Sequence, residues 1–383
     1  MSRARSAKHR PHTPPSRPQR ASDAALAARG STDGVRARLL APVLVAMVLA
    51  AVAVVHYPAL SARAIAFDDE QYLVENRLVR QPGWTSTWRF LSEVLEPSTV
   101  GGYYQPLTMI SLMADVAAGG RPDNLRPFHR TSLILHAINT GLVVWLLFML
   151  FRHLWVAAAV GLLFGLHPLT VEPIPWIGER KTLLAAFFSL ISLILYVRHS
   201  RSSGYRWYCG CLVAYILALM SKPTSTPLPL VFLLMDFWPL GRLSWRSVIE
   251  KLPLLAVGAV FAVITVVSQG RTAHITMPTE YSPARIPLLL CHNIVFYPLK
   301  MIWPVHLTSH YPLPEPMSPA DPMILAGLIG TCVLIPALLL SLRRTRACAT
   351  GWLIFFLMLL PTTGIIGFTT VIASDKYAYL PAI

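Results

Sequence analysis

The chain has 383 residues, of which 54% are hydrophobic and only 13% charged, and its mean hydropathy is +0.53. Soluble domains carry roughly 25% charged residues, so a soluble enzyme is set aside; the alternating apolar and polar pattern of a membrane β-barrel is missing as well. The formal net charge of +15 is uneven, because residues 1–38 hold nine Lys and Arg against Asp23 and Asp33.

That segment is rich in Pro, Ser and Ala and cannot bury a core, so it reads as a disordered cytoplasmic tail. The apolar run Leu39 to Leu60 lies too far in and is too long for a standard signal peptide. It is expected to be a retained anchor that crosses from inside to outside. It ends at "IAFDDEQY", Ile65 to Tyr72, where Asp68, Asp69 and Glu70 stand in a row. Carboxylates at this depth are costly, and those present usually have a function; the plain alternative is a cap on an interfacial helix.

Residues 61–129 then form a long outer loop with amphipathic pieces at 84–95 and 106–118. Further spans are expected at about 131–151, 154–166, 182–197, 207–220, 228–240, 252–268, 323–342 and 352–368. Arg152 and His153 make a tight inner turn. The basic loops "RHSRSSGYR", "GRLSWRSVIEK" and "RRTRA" are assigned to the inside. Parity leaves residues 286–303 as a segment that does not cross. Its His292, Asn293, Pro298 and Lys300 suit an interfacial or re-entrant helix. The fold class is an all-α polytopic membrane protein over residues 39–383, with about nine crossings. The five cysteines lack ligand spacing and imply no disulfide framework.

This layout collects the conspicuous polar groups outside: Asp68 and Asp69, then His167, Glu172, Trp176, Glu179, Arg180 and Lys181, then Lys222, His274 and His310, and finally Asp375, Lys376 and Tyr377. A carboxylate can take a proton from an attacking hydroxyl. Lysine and arginine can hold a phosphate at headgroup depth, aided by a helix N-terminus. Arg180, Lys181, Lys222 and Lys376 are therefore donor-phosphate candidates, with snorkelling as the plain alternative for the first two. His167 and Glu172 stand five apart between prolines, which fits a hydrogen-bonded turn better than a metal site. Trp176 is an interfacial belt residue or a stacking platform for a sugar. His129, His136 and Asn139 form a polar seam between spans, and Asp236 is structural. No nucleotide-binding loop is present. An activated donor would have to live in the bilayer, and a polyprenyl-phosphate sugar fits.

The stretches "FDDEQYLVENRLV", "YYQPLTMISLMAD", "RPFHRTSLILHAINT", "LLFGLHPLTVEPIPWIGERKTLLAAFF", "SKPTSTPLPLVFLLMDFWPL" and "SDKYAYLP" resemble the membrane region of the transmembrane and tetratricopeptide-repeat protein O-mannosyltransferases and their bacterial relatives. "HPLTVEPIPWIGERK" and "SDKYAYLP" are the most specific parts. The family belongs to the GT-C class of polytopic glycosyltransferases. The resemblance implies a GT-C-like helical bundle and an inverting transfer of a monosaccharide, commonly mannose, from polyprenyl phosphate. The acceptor hydroxyl is that of a protein Ser/Thr or a glycan, on the outer face of the cell membrane. It implies an acidic base after the first span, here Asp69 or Asp68 with Asp69 slightly favoured, supported by His167, Glu172, Trp176, Asp375 and Tyr377. It implies no cofactor beyond an optional divalent cation, and no nucleic-acid partner is expected. The departures are that no repeats follow, so the C-terminal part is expected to be shortened, and that Lys376 stands where Arg is common. The competing reading is a membrane carrier or lipid flippase without covalent chemistry. That reading calls for ionisable groups near the midplane and repeated halves.

Overall fold

The structure is a computed structural model and describes residues 40–63, 68–97, 101–202, 204–272, 285–314, 317–365 and 371–383. The basic tail, Ile65 to Phe67 of the acidic motif, and His274 lie outside the described residues. Residues 1–46 and 47–383 separate as two compact units. The first contributes only the opening of helix α1 (Leu40–Ser61) to the described residues, and the functional geometry belongs to the second.

Helices dominate because the sequence consists of apolar runs with few strand-forming alternations. A backbone in hydrocarbon must satisfy its own hydrogen bonds. Among the described residues five helices are long and apolar enough to cross a membrane: α1, α5 (Arg126–Phe151), α7 (Arg180–Ser202, with its preceding turn), α11 (Leu252–Thr272, with the short helix α10, Trp245–Ile249, before it) and α13 (Pro322–Ser341). Shorter helices are α6 (Leu154–Leu166), α8 (Tyr205–Ser221), α9 (Leu228–Phe237), α12 (Arg285–Ile302) and α14 (Ala347–Leu359). The chain is thus an all-α membrane protein.

Local chemistry sets several boundaries. Helix α5 carries Pro127 in its first turn and ends at Arg152, whose φ of 59° is left-handed, so α6 restarts two residues later. Helices α9 and α14 stop short of the expected 240 and 368, at Phe237 and Leu359. Pro239 follows the first of these ends and a proline disfavours helix in the residue before it, so Trp238 is extended; α14 instead tightens into a 3₁₀ turn, Leu360–Thr362. Small residues let α5 and α6 touch: a Cβ on Gly161 would lie 2.2 Å from a Val144 methyl. Likewise a Cβ on Gly327 of α13 would lie 2.7 Å from His292 Cα of α12.

The segment between α1 and α5 carries small helices: α2 (Arg77–Arg80), α3 (Trp84–Ser92) and α4 (Pro106–Ala117). Asn76 caps α2 by accepting the amides of Leu78 and Val79, both at 3.1 Å. Tyr72, Leu73, Phe90, Met109, Leu112 and Ile177 form the apolar core beneath them. A second core joins α5, α7, α8 and α9 around Leu183, Leu190, Tyr215 and Phe232. A third, around Leu169, Leu289, Tyr297 and Ala378, holds α12 and the last segment. A two-stranded antiparallel ladder, β1 (Tyr311–Pro312) and β2 (Val371–Ala373), closes that side. Tyr379 then plugs the last segment into α5, its hydroxyl 2.8 Å from His136 Nδ1 and 3.2 Å from Asn139 Nδ2. The three cores meet along residues 167–183, which carry the candidates His167, Glu172, Trp176, Arg180 and Lys181.

Candidate functional site

Residues 167–179 leave α6 as a turn broken by Pro168, Pro173 and Pro175. They re-enter helix α7 through a single 3₁₀ turn, Ile177–Glu179. Asp69, at the start of the helical turn Glu70–Val74, makes no side-chain capping bond to it. Asp69 is buried, and its Oδ1 accepts the amide of Gly178 at 2.5 Å. Gly178 is small for that reason: a Cβ there would stand 3.0 Å from Asp68 Cβ and 3.1 Å from Asp69 Oδ1. Asp68 points elsewhere. Its Oδ2 lies 2.6 Å from Lys181 Nζ, while the side chain stays 41% exposed. Burial pushes the Asp68 carboxyl up, but the Lys181 ammonium outweighs this and holds it below its ordinary value.

Lys181 also donates to Tyr72 Oη at 3.1 Å, and Gln105 Nε2 donates to the same oxygen at 2.7 Å. The next charged layer centres on Glu179. Lys222 Nζ is 3.0 Å from its Oε2. Lys376 Nζ is 3.3 Å and Lys181 Nζ 3.8 Å from its Oε1. The Thr182 hydroxyl donates to Oε2 and accepts from Lys222 at 2.7 Å. Burial depresses the Lys222 ammonium to about 8, although Glu179 pulls it the other way. Lys376 Nζ lies 3.7 Å above the centre of the Trp176 ring, a cation–π contact that fixes its direction.

Glu172 completes the group. Its Oε2 accepts the Lys376 amide at 2.9 Å, and its Oε1 is buried without a hydrogen bond. Burial lifts its carboxyl to about 7 against the charge of Lys376. Asp375 accepts the Tyr311 hydroxyl at 3.0 Å and orients the segment that presents Lys376. Tyr377 packs on the third core, its ring centre 6.0 Å from Lys376 Nζ.

Two sequence candidates stand apart from this group. Arg180 is fully buried and spends its guanidinium on Asp115 at 2.8 Å, Ser111 at 2.9 Å, Ser132 at 3.2 Å and the Phe128 carbonyl at 2.6 Å. It clamps α4 and α5 to α7. His167 accepts the Leu169 amide on Nδ1 at 3.2 Å, so Nε2 donates to the Met301 carbonyl at 2.9 Å and ties the turn to α12. Among the described residues no group of three His, Cys, Asp or Glu side chains is placed to hold a metal.

The sequence reading placed Glu179 on the outer face without giving it a role, and it passed over Tyr72 and Thr182. A lone acid directly before two cations at a span entrance was the available signal for Glu179. Asp236, at the far end of the bundle, is fully buried between Lys251 at 2.6 Å and Arg242 at 2.8 Å, a structural ion cluster.

The site can hold an anion among ammonium groups and can offer the half-exposed Asp68 carboxylate to a hydroxyl beside it. Comparison with known proteins gives this geometry a context. The human protein O-mannosyl-transferase TMTC2 (Homo sapiens) is 25% identical over 194 residues, covering 49% of this chain and 23% of that protein. The Drosophila melanogaster protein O-mannosyl-transferase Tmtc2 is 30% identical over 155 residues, 38% of this chain and 16% of that one. The Caenorhabditis elegans protein O-mannosyl-transferase F38B6.6 is 22% identical over 294 residues, 74% of this chain and 40% of that one. The chain therefore spans less than half the length of each of these relatives. No family model matches it, and no solved structure matches significantly.

Proposed function

We propose that this chain, a homologue of the TMTC protein O-mannosyl-transferases, is a GT-C-type membrane glycosyltransferase that moves a monosaccharide, mannose by analogy, from a polyprenyl phosphate to a hydroxyl of a protein. The observation that carries the reading is the convergence of four separate segments: Lys181, Lys222 and Lys376 gather around Glu179, and Asp68 pairs with Lys181. On this reading the lipid tail lies along the apolar spans and the phosphate sits among the lysines, on the outer face of the cell membrane, with the basic tail inside.

The chemistry follows from the charges. Asp68 deprotonates the acceptor hydroxyl, the oxygen attacks the anomeric carbon, and the bond from that carbon to the phosphate oxygen breaks. Attack opposite the leaving group inverts the centre. The departing phosphate gains charge, and preformed ammonium groups stabilise it most in the transition state. Of the adjacent acids, Asp68 is the base because its side chain is accessible; Asp69 holds the 178 turn in place. Lys181 links the two halves of the reaction, since it touches the base and stands beside the phosphate set. Trp176, with Lys376 on its face, borders the space for the sugar.

A carrier or flippase is the second reading, and here the ionisable cluster lies at a span entrance rather than mid-helix. Purified protein is to be incubated with a panel of polyprenyl-phosphate sugars and a Ser/Thr peptide, with and without chelator, and the products read by mass spectrometry. A glycosylated peptide is expected. Movement of the lipid across vesicles with no covalent product would support the carrier instead.

A further inference from the structure

Glu179 has no task in the transfer just described, yet it is the most heavily contacted carboxylate in the site. Its side chain is 1% exposed. The three ammonium groups beside it come from the first turn of α7, the end of α8 and the segment after β2. A lysine is a compact charge on a flexible stem, and ammonium groups a few ångströms apart repel one another. Left alone, three such side chains would splay towards solvent. Glu179 opposes this through both oxygens, Oε2 for Lys222 and Oε1 for Lys376 and Lys181. The Thr182 hydroxyl fixes the carboxylate in turn. The three ammonium groups outnumber Glu179 and Asp68, the two carboxylates that form ion pairs with them, which leaves the set able to receive an anion.

We propose that Glu179 is a positioning residue: its buried carboxylate gathers Lys181, Lys222 and Lys376 into one set spaced to receive the phosphate group of the donor lipid. The inference rests on the donor reading above and adds the group that assembles its phosphate site. Other groups facing the set are Asp68, Glu172, Tyr72, Tyr103, Tyr377, His310 and the Trp176 ring.

The test is binding of sugar-free polyprenyl phosphate to the purified full chain across pH, for wild type, Glu179→Gln and Glu179→Asp. Glu179→Gln keeps the shape and removes the charge. Lys222 then faces burial and two like charges alone, both of which favour its neutral form. Binding is expected to weaken about tenfold or more, and its upper pH limit to move down by about one unit. Glu179→Asp keeps the charge on a shorter arm. It is expected to weaken binding while leaving the pH limit near that of wild type, and it carries the test if Glu179→Gln does not fold. Unchanged binding and pH limit in Glu179→Gln, or a limit in Glu179→Asp displaced as far as expected for the neutral variant, would overturn the proposal. Failure of the wild type to bind polyprenyl phosphate at all would instead overturn the donor reading, and this inference with it.

Discussion

Asp68 Oδ2 and Lys181 Nζ stand 2.6 Å apart, joining the segment after α1 to the start of α7. The contact places a solvent-reachable carboxylate against a cation that is also part of the Glu179 set. Its neighbour Asp69, buried on the Gly178 amide, holds the two segments together from behind.

The two acids should therefore separate by experiment. Asp68→Asn keeps the shape and removes the base, so turnover is expected to fall by roughly 10²–10⁴ with thermal stability nearly unchanged. Asp69→Ala strips a buried acceptor from the Gly178 amide, and a loss of about 1–3 kcal/mol in stability is expected. Steady-state kinetics and thermal unfolding in detergent, run on both variants, check the division; a reversed pattern would make Asp69 the base.

Gly178→Ala tests the same junction from the other side. A methyl group there meets Asp68 Cβ at 3.0 Å and Asp69 Oδ1 at 3.1 Å. The acids must give by a few tenths of an ångström, and small misplacements of reacting groups are costly in rate. A fall in turnover of about tenfold, with unchanged affinity for polyprenyl phosphate, is expected, and kinetics beside lipid-binding measurements read it.

Arg180 and Lys181 are neighbours with opposite fates. Arg180→Ala would leave Asp115 buried without its ion-pair partner, a change that typically costs roughly 3–5 kcal/mol. The expected result is a less stable protein whose surviving fraction keeps its affinity for the donor lipid. Lys181→Met is expected to weaken that affinity instead. Donor titrations on the folded fraction of each variant distinguish the two.

How far the sequence led differs between fold and site. Helix α6 could be read to the residue, because Leu154–Leu166 is an unbroken apolar run between a basic turn and His167-Pro168. The ends of α9 and α14 were missed where apolar residues continue past a proline. In the site, composition pointed to the outer face, yet it could not orient adjacent side chains. Successive residues on a helix diverge by about 100°. That separation sends Arg180 into α4 and α5 while Lys181 reaches Asp68. Glu179 stands in the polar constellation without a role in the sequence because its partners Lys222 and Lys376 are distant along the chain, and only tertiary packing brings them together.

Glu172 predicts a pH dependence. Its carboxyl is lifted from 4.5 to about 7, so the folded state keeps a proton that the unfolded chain has released. The contribution of Glu172 to stability is then full below about pH 4.5, declines as pH rises towards 7, and is lost above it. Glu172→Gln should flatten this decline between those pH values. Thermal unfolding of wild type and variant across that range is the check, and parallel curves would mean that Glu172 is not the group responsible.

The account's central claim is that these acids and lysines form one reaction centre for a lipid-phosphate sugar. The most direct measurement is sugar transfer from polyprenyl-phosphate mannose to a Ser/Thr peptide by wild type and by the Asp68→Asn, Asp69→Asn double variant, both verified as folded in the membrane. Transfer by the wild type and its abolition in the variant is the predicted result. Undiminished transfer by the variant would contradict the account.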